Sequence, residues 1–286
     1  MQIPKDVINK ARSLEIRTRK YVRGKNLGGY ATPWSGGGFE FRQLRDYTSG
    51  DDIRFVDWKS FARTGSLLVR DYHDEHNRSI VLILDCSSSM YFARSKTLKA
   101  ERAGEIASVM AYSACFSGDA VGCVVFGDGI ISHITPRAGH AHTQQVVYTC
   151  LQESSHPRGS MSLGETIKRI APEYGRSTCF IVISDFLDDT YKREITVLAQ
   201  RHDIIPIRIV DEQEESPYIA EETYAYDTET HDQILVTRDT VQMYTCWVSQ
   251  HTAYFNRVMR TIGTTPCTCY VGGEWFSHVL SYMHSR

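Results

Sequence analysis

Three stretches of this chain are almost wholly apolar, and each stops on an acid: SIVLILD ending at Asp85, TCFIVISD ending at Asp185 and IIPIRIVD ending at Asp211. A run without polar alternation must be covered on both faces, which is the condition of a strand inside a parallel sheet. Between these runs the spacing changes to that of helices. Residues 96–116 place Leu98, Ala103, Ile106, Val109, Met110 and Ala114 on one side, and helices are also expected over 141–153, 163–174 and 190–201. Two more strands, Val121 to Phe126 and Ile130 to Ile134, flank the turn Gly127-Asp128-Gly129. Apolar strand alternating with amphipathic helix predicts a doubly wound, mostly parallel sheet with helices on both faces. Beyond it, 223–237 reads as a hairpin turning at Asp227 to Asp232, 239–262 as a long helix, and 267–286 as a strand and closing helix.

Ahead of the first strand the pattern is less regular. Residues 4–22 read as a helix with Val7, Ile8, Ala11 and Leu14 on one face, followed by glycines and then by 39–77, dense in charge and aromatics. The division expected is therefore an N-terminal helical and irregular segment over 1–77 and an α/β domain over 78–286. The 286 residues suit one large domain or one domain with a smaller module. Basic residues cluster over 5–25, either as a solvated helix face or as a docking surface for an acidic partner. Over the whole chain 32 basic and 34 acidic residues leave a net charge of −2, which gives no field to steer it onto nucleic acid. No run approaches the roughly 18 apolar residues of a membrane span, and no leader-like apolar segment is seen. The eight cysteines lie scattered, several inside apolar runs, which suits buried thiols in a reducing compartment. A cytoplasmic location is expected. Cys267 and Cys269 form a lone C-x-C without a second pair.

Ligands of a doubly wound sheet bind at the carboxyl ends of its strands, so the three strand-end acids draw notice. Asp85 is followed by Cys86-Ser87-Ser88-Ser89, and Asp85, Ser87 and Ser89 alternate along the turn so that their oxygens can converge. Mg²⁺ takes octahedral oxygen ligation and keeps waters, so few protein oxygens suffice. Ser87 and Ser89 would otherwise cap a nearby helix, and Asp85 and Asp185 would be turn residues. The D-x-S-x-S pattern resembles the metal-ion-dependent adhesion site of von Willebrand factor A domains, whose sheet is Rossmann-like. The resemblance implies that the two serines coordinate the ion, that Asp185 completes the site, and that a later Thr contributes. That Thr position holds Met161 in Gly159-Ser160-Met161-Ser162-Leu163, so either Ser160 or Ser162 substitutes or the contact is missing. Mg²⁺, or Mn²⁺ or Ca²⁺, is the cofactor expected.

The elements FRQLRDY, SGDDIRFVDW, ART and LLVRDYHDE within 38–77, leading into the strand and D-x-S-x-S-M, resemble a bacterial family designated domain of unknown function fifty-eight, from about residue 25 to the C-terminus. The resemblance implies association with MoxR-type AAA+ ATPases, which work with von Willebrand A partners in maturing or assembling other proteins. Chemically, Asp51, Asp52, Arg54 and Asp57 beside Arg42, Arg45, Arg63 and Arg70 suit a charge-paired network, since Arg forks match carboxylates. Trp58, Phe39, Phe41, Phe55 and Phe61 would anchor the segment on the sheet domain. It is either a packing motif or a surface that a partner reads through Arg45, Asp51, Asp52, Arg54, Asp57, Trp58 and Arg63.

Other chemistry finds no motif. His73-Asp74-Glu75-His76 and His140-Ala141-His142 lack HExxH spacing, and neither a GxxxxGK[ST] loop nor a GxSxG elbow is present. The expectation is a non-enzymatic, metal-dependent protein-interaction module acting as adaptor for such an ATPase. The alternatives are a Mg²⁺-dependent hydrolase or phosphatase using Asp85 as nucleophile, and a scaffold with a vestigial site.

Overall fold

The computed structural model describes residues 4–26, 39–48, 56–74, 78–91, 97–156, 159, 161–175, 177–215, 223–226 and 233–285. In chain order its elements are α1 (Lys5–Asn26), β1 (Phe39–Asp46), α2 (Trp58–Thr64), β2 (Leu68–Asp74), β3 (Ser79–Asp85), α3 (Lys99–Ser117), β4 (Ala120–Phe126), β5 (Ile130–Arg137), α4 (His140–Glu153) and α5 (Leu163–Ile170). There follow β6 (Cys179–Ser184), α6 (Lys192–Ala199), β7 (Asp203–Val210), α7 (Glu212–Glu215), β8 (Thr223–Tyr226), β9 (Gln233–Val236), α8 (Arg238–Thr261), β10 (Cys267–Tyr270) and α9 (Trp275–Ser285). The chain forms two units, Met1–Trp34 with Arg78–Arg286, and Ser35–Asn77. Helix α1 thus belongs with the α/β unit rather than with the segment after it, which differs from a division of 1–77 against 78–286.

The larger unit is built on a six-stranded sheet in the order β10-β7-β6-β3-β4-β5. Every neighbouring pair is parallel except β4 with β5. This is the mixed α/β, mostly parallel, Rossmann-like sheet that the acid-terminated runs announced. Ile80 to Leu84 of β3 are wholly buried, and alternation divides them between two cores. Ile80, Leu82 and Leu84 join the core that includes residues of α1, α3, α4 and α9. Val81 and Ile83 join the opposite core, with residues of α5, α6 and α8. Truncating a fully buried side chain such as Leu82 to Ala costs roughly 2–5 kcal/mol.

α1 lies on the first of these faces because Val7, Ala11 and Leu14 fall on one stripe and are buried there. Glu15 on the same helix pairs with Arg19 and with His140 of α4. β5 turns back antiparallel to β4 and runs three residues past its expected end at Ile134. The register slips between Val121 and Cys123, where Gly122 faces the edge strand. A Cβ there would sit 2.3 Å from the Ile134 carbonyl oxygen. The hairpin β8–β9 pairs Thr223 with Val236 as expected; its turn, 227–232, lies outside the described residues.

The smaller unit pairs β1 antiparallel with β2. Val56 bridges to Val69, and both are buried. Asp57 starts α2 by accepting the Lys59 and Ser60 amides at 3.1 and 3.2 Å.

Candidate functional site

Parallel neighbours end side by side, so the adjacency of β7, β6 and β3 sets Asp211, Asp185 and Asp85 along one rim. Alternation then separates their roles. Asp85 and Ser184 share the face of the α5, α6 and α8 layer, and the Ser184 hydroxyl donates to Asp85 Oδ2 at 2.6 Å. The Ser87 amide donates to Asp85 Oδ1 at 2.8 Å, and the Ser87 and Ser89 hydroxyl oxygens lie 3.2 Å apart. Burial first, and then the charge of Asp185, push the Asp85 carboxyl up to about 6, against the pull of these hydrogen bonds. Ser184 Oγ also accepts the Phe186 amide at 3.0 Å. Phe186 has a left-handed backbone, φ 54°, and its ring packs 4.7 Å from that of Phe255 in α8.

Asp185 points to the other layer. Its Oδ2 accepts from Lys99 Nζ at 3.0 Å, and its Oδ1 accepts from the Leu187 amide at 3.3 Å. Lys99 is wholly buried at the start of α3 and donates also to Glu214 Oε2 of α7 at 2.8 Å. Burial alone would lower this amine, but Asp185 and Glu214 outweigh it and hold it above its ordinary value. Burial raises the Glu214 carboxyl, with Lys99 pulling the other way. Arg208 of β7 donates to the Asp185 carbonyl at 3.4 Å and pairs with Glu215 at 3.8 Å.

The loop before α5 meets the serine turn through its backbone. The Ser88 amide and hydroxyl donate to the Gly159 carbonyl at 2.9 and 3.1 Å. Gly159 has φ 54°, and a Cβ would sit 2.4 Å from that of Asp128. Met161 stands where the adhesion-site resemblance asks for Thr. Its amide donates to Gly127 O while its side chain is buried in the α5, α6 and α8 core. Ser162, one of the two expected substitutes, caps α5: its hydroxyl accepts the Glu165 amide at 3.1 Å. Ser160 lies outside the described residues.

Among the residues singled out in the sequence, Ser87 holds Asp85 through its amide and lies beside Ser89, while Asp185 ends the neighbouring strand and meets Lys99. In the smaller unit, Arg45 donates to Asp46 O and Thr48 Oγ1 at 3.2 and 3.1 Å, and Asp57 caps α2. Trp58 and Phe61 are 59% and 39% exposed and meet edge to face. Arg63 lies in the exposed last turn of α2. Asp51, Asp52, Arg54 and Phe55 lie outside the described residues, as do the side chains of Phe39, Phe41, Arg42 and Arg70. His140 and His142 serve different partners, Glu15 and the Val121 carbonyl. Sequence reasoning missed Ser184, Lys99 and Glu214. Two signals were present: Ser184 shares strand parity with Asp85 across a parallel pair, and Lys99 is a cation at a helix start, where the dipole opposes it.

The family model described as "Protein of unknown function DUF58" matches residues 43–253. The chain belongs to the DUF58 family. The match is shorter at both ends than the resemblance read from the motifs. Over 205 residues this DUF58 chain is 27% identical to uncharacterized proteins of Mycobacterium bovis and Mycobacterium tuberculosis, covering 70% of itself and 64% of them. It therefore spans about 64% of the length of these curated relatives. A solved structure of an aerotolerance-related membrane protein from Bacteroides fragilis aligns at 13% identity and TM-score 0.40, covering 73% of this chain and 100% of that one. One of an uncharacterized membrane spanning protein from Vibrio fischeri aligns at 14% identity and TM-score 0.27, covering 73% and 98%. These scores are too low to add to the fold, which rests on the strand order. Both structures are described as those of membrane proteins. The cytoplasmic location expected from the sequence is not kept. That expectation leaned on the lack of a long apolar run, which says nothing about where a domain is tethered. Among the described residues no helix is long and apolar enough to cross a membrane.

Proposed function

We propose that this DUF58 chain is a non-enzymatic interaction module of the von Willebrand factor A type. In this reading Asp85, Ser87, Ser89 and Asp185 hold a divalent cation, Mg²⁺ in the first place, and the chain serves as adaptor for a MoxR-type AAA+ ATPase in the maturation or assembly of other proteins. One observation carries the reading: β3 and β6 are neighbours, so a buried Asp85 lies within electrostatic reach of Asp185 and is held by the turn that pairs the Ser87 and Ser89 hydroxyls. The strand order with its antiparallel edge β5 supports the same type.

The donor set fits a hard cation, being carboxylate and hydroxyl oxygen throughout. Asp85, raised to about 6 beside a second carboxylate, is a group whose charge an added cation would settle. When bound, such an ion offers a coordination position that a partner's Asp or Glu completes. Lys99 holds Asp185 through Oδ2, and Ser184 and the Ser87 amide fix the Asp85 carboxylate. With both oxygens so engaged, Asp85 is a poor nucleophile, and Ser87 stands where a phosphatase of the haloacid dehalogenase type has a second Asp. Capture of a MoxR-type ATPase should fall by about tenfold or more with chelator and in Asp85→Ala, Mg²⁺ restoring only the unmodified chain. Equal capture in all samples removes the metal bridge from the account.

A second reading draws on Lys99. Its ammonium lies 3.0 Å from Asp185 and, with Met161 in the core, would make the site a scaffold with a built-in cation. Calorimetric titration without heat from Mg²⁺ or Mn²⁺ would favour it.

A further inference from the structure

The C-x-C of β10 has no part in the rim. Residues two apart on a strand share a face, and Cys267 and Cys269 are both about fully buried, at 1% exposure each, within the core that includes α9 residues. Their sulfurs lie 3.7 Å apart. The turn after β10 leads into α9, whose exposed His278 brings a ring nitrogen near both, all three ligand atoms lying within 4.8 Å of one another. Two thiolates bound at about 2.3 Å to one tetrahedral metal stand about 3.8 Å apart, which is the separation these sulfurs already have. We propose that Cys267, Cys269 and His278 form a binding site for a thiophilic cation of the Zn²⁺ class.

Thiolate and imidazole select borderline and soft cations, whereas the oxygen rim selects hard ones, so the two sites sort metals by chemistry. Three protein ligands with His278 at the surface leave the fourth position to water, the pattern of an open rather than a closed zinc site. Packing of two small thiols accounts for their burial but gives no part to His278. The strand holds the sulfurs at a fixed spacing, and only the histidine, on an exposed helix face, must adjust to close the set.

The test uses the full chain, kept reduced with a phosphine, and Co²⁺ as spectroscopic probe with Zn²⁺ as competitor. One Co²⁺ per chain should give thiolate-to-cobalt charge transfer and the strong visible bands of a tetrahedral ion, both displaced by Zn²⁺. Cys267→Ser with Cys269→Ser should abolish the charge-transfer band. His278→Ala, a change at an exposed position that leaves the fold intact, should weaken Zn²⁺ binding by about tenfold or more. Cys115→Ser with Cys246→Ser, and separately Asp85→Ala, should keep the bands. No charge transfer in the unmodified chain overturns the proposal, as does unchanged Zn²⁺ affinity in His278→Ala or a band that survives loss of both β10 cysteines.

Discussion

At the scale of single residues, Lys99 and Asp85 set the energetics of the rim with opposite sign. Burying an ammonium costs several kcal/mol, and Lys99 is tolerated because Asp185 and Glu214 both meet it. Lys99→Met keeps the apolar stem and strands two carboxylates, so it should destabilise the chain by about 3–5 kcal/mol. Urea unfolding measures this, and Mg²⁺ should return part of the loss if the rim accepts a cation. Asp85 has a folded value of about 6 against an ordinary 3.8. Between those values the folded chain holds a proton that the unfolded chain has released, so metal-free stability falls as pH rises through the window and is lowest above it. A shift of about two units corresponds to roughly 3 kcal/mol. Asp85→Asn should therefore flatten the slope between about pH 4 and 6 and raise the melting temperature at neutral pH in chelator, as thermal melts at stepped pH would record. A variant as pH-sensitive as the parent would refute this.

At the scale of elements, legibility followed burial. β3, β6 and β7 were plain in the sequence because both faces of each strand are covered, which leaves a continuous apolar run. β1 and β2 were not, since a two-stranded pair with charged residues such as Arg45 and Asp46 shows neither a full run nor a clean alternation. The extension of β5 past Ile134 hid behind Pro136, a residue that an edge strand tolerates. The strand-end places of Asp85 and Asp185 and the Ser87–Ser89 turn were readable from one motif and one strand end, whereas the Lys99 ammonium on Asp185 was not. Ser162 was not, because a serine two residues from Ser160 reads equally as ligand or cap until the Glu165 amide is seen on it. The β4–β5 contact gives a prediction of its own. Gly122→Val places carbon against the Ile134 carbonyl and the Pro136 nitrogen, so it should cost about 1–3 kcal/mol or more as the edge strand shifts. Hydrogen exchange should show β5 amides losing protection before those of β3.

At the scale of the molecule, the buried residues named in the two cores of the larger unit come from that unit's own elements. Replacing 39–74 by a Gly/Ser tract of equal length should leave cooperative melting of the larger unit, while capture of an ATPase partner is lost if that segment is the surface read. The family motifs were legible because they are dense in Arg, Asp and aromatic residues; what the segment does was not, since composition alone does not separate a packing motif from a surface that a partner reads. Ser184 joins these scales. Its hydroxyl touches Asp85 on one side and the amide of Phe186 on the other, and that ring rests on the longest helix of the unit. Gain or loss of charge at the strand tip acts first on that one hydroxyl, and should register as altered ring-current shifts of Phe186 and Phe255 in an NMR pH titration.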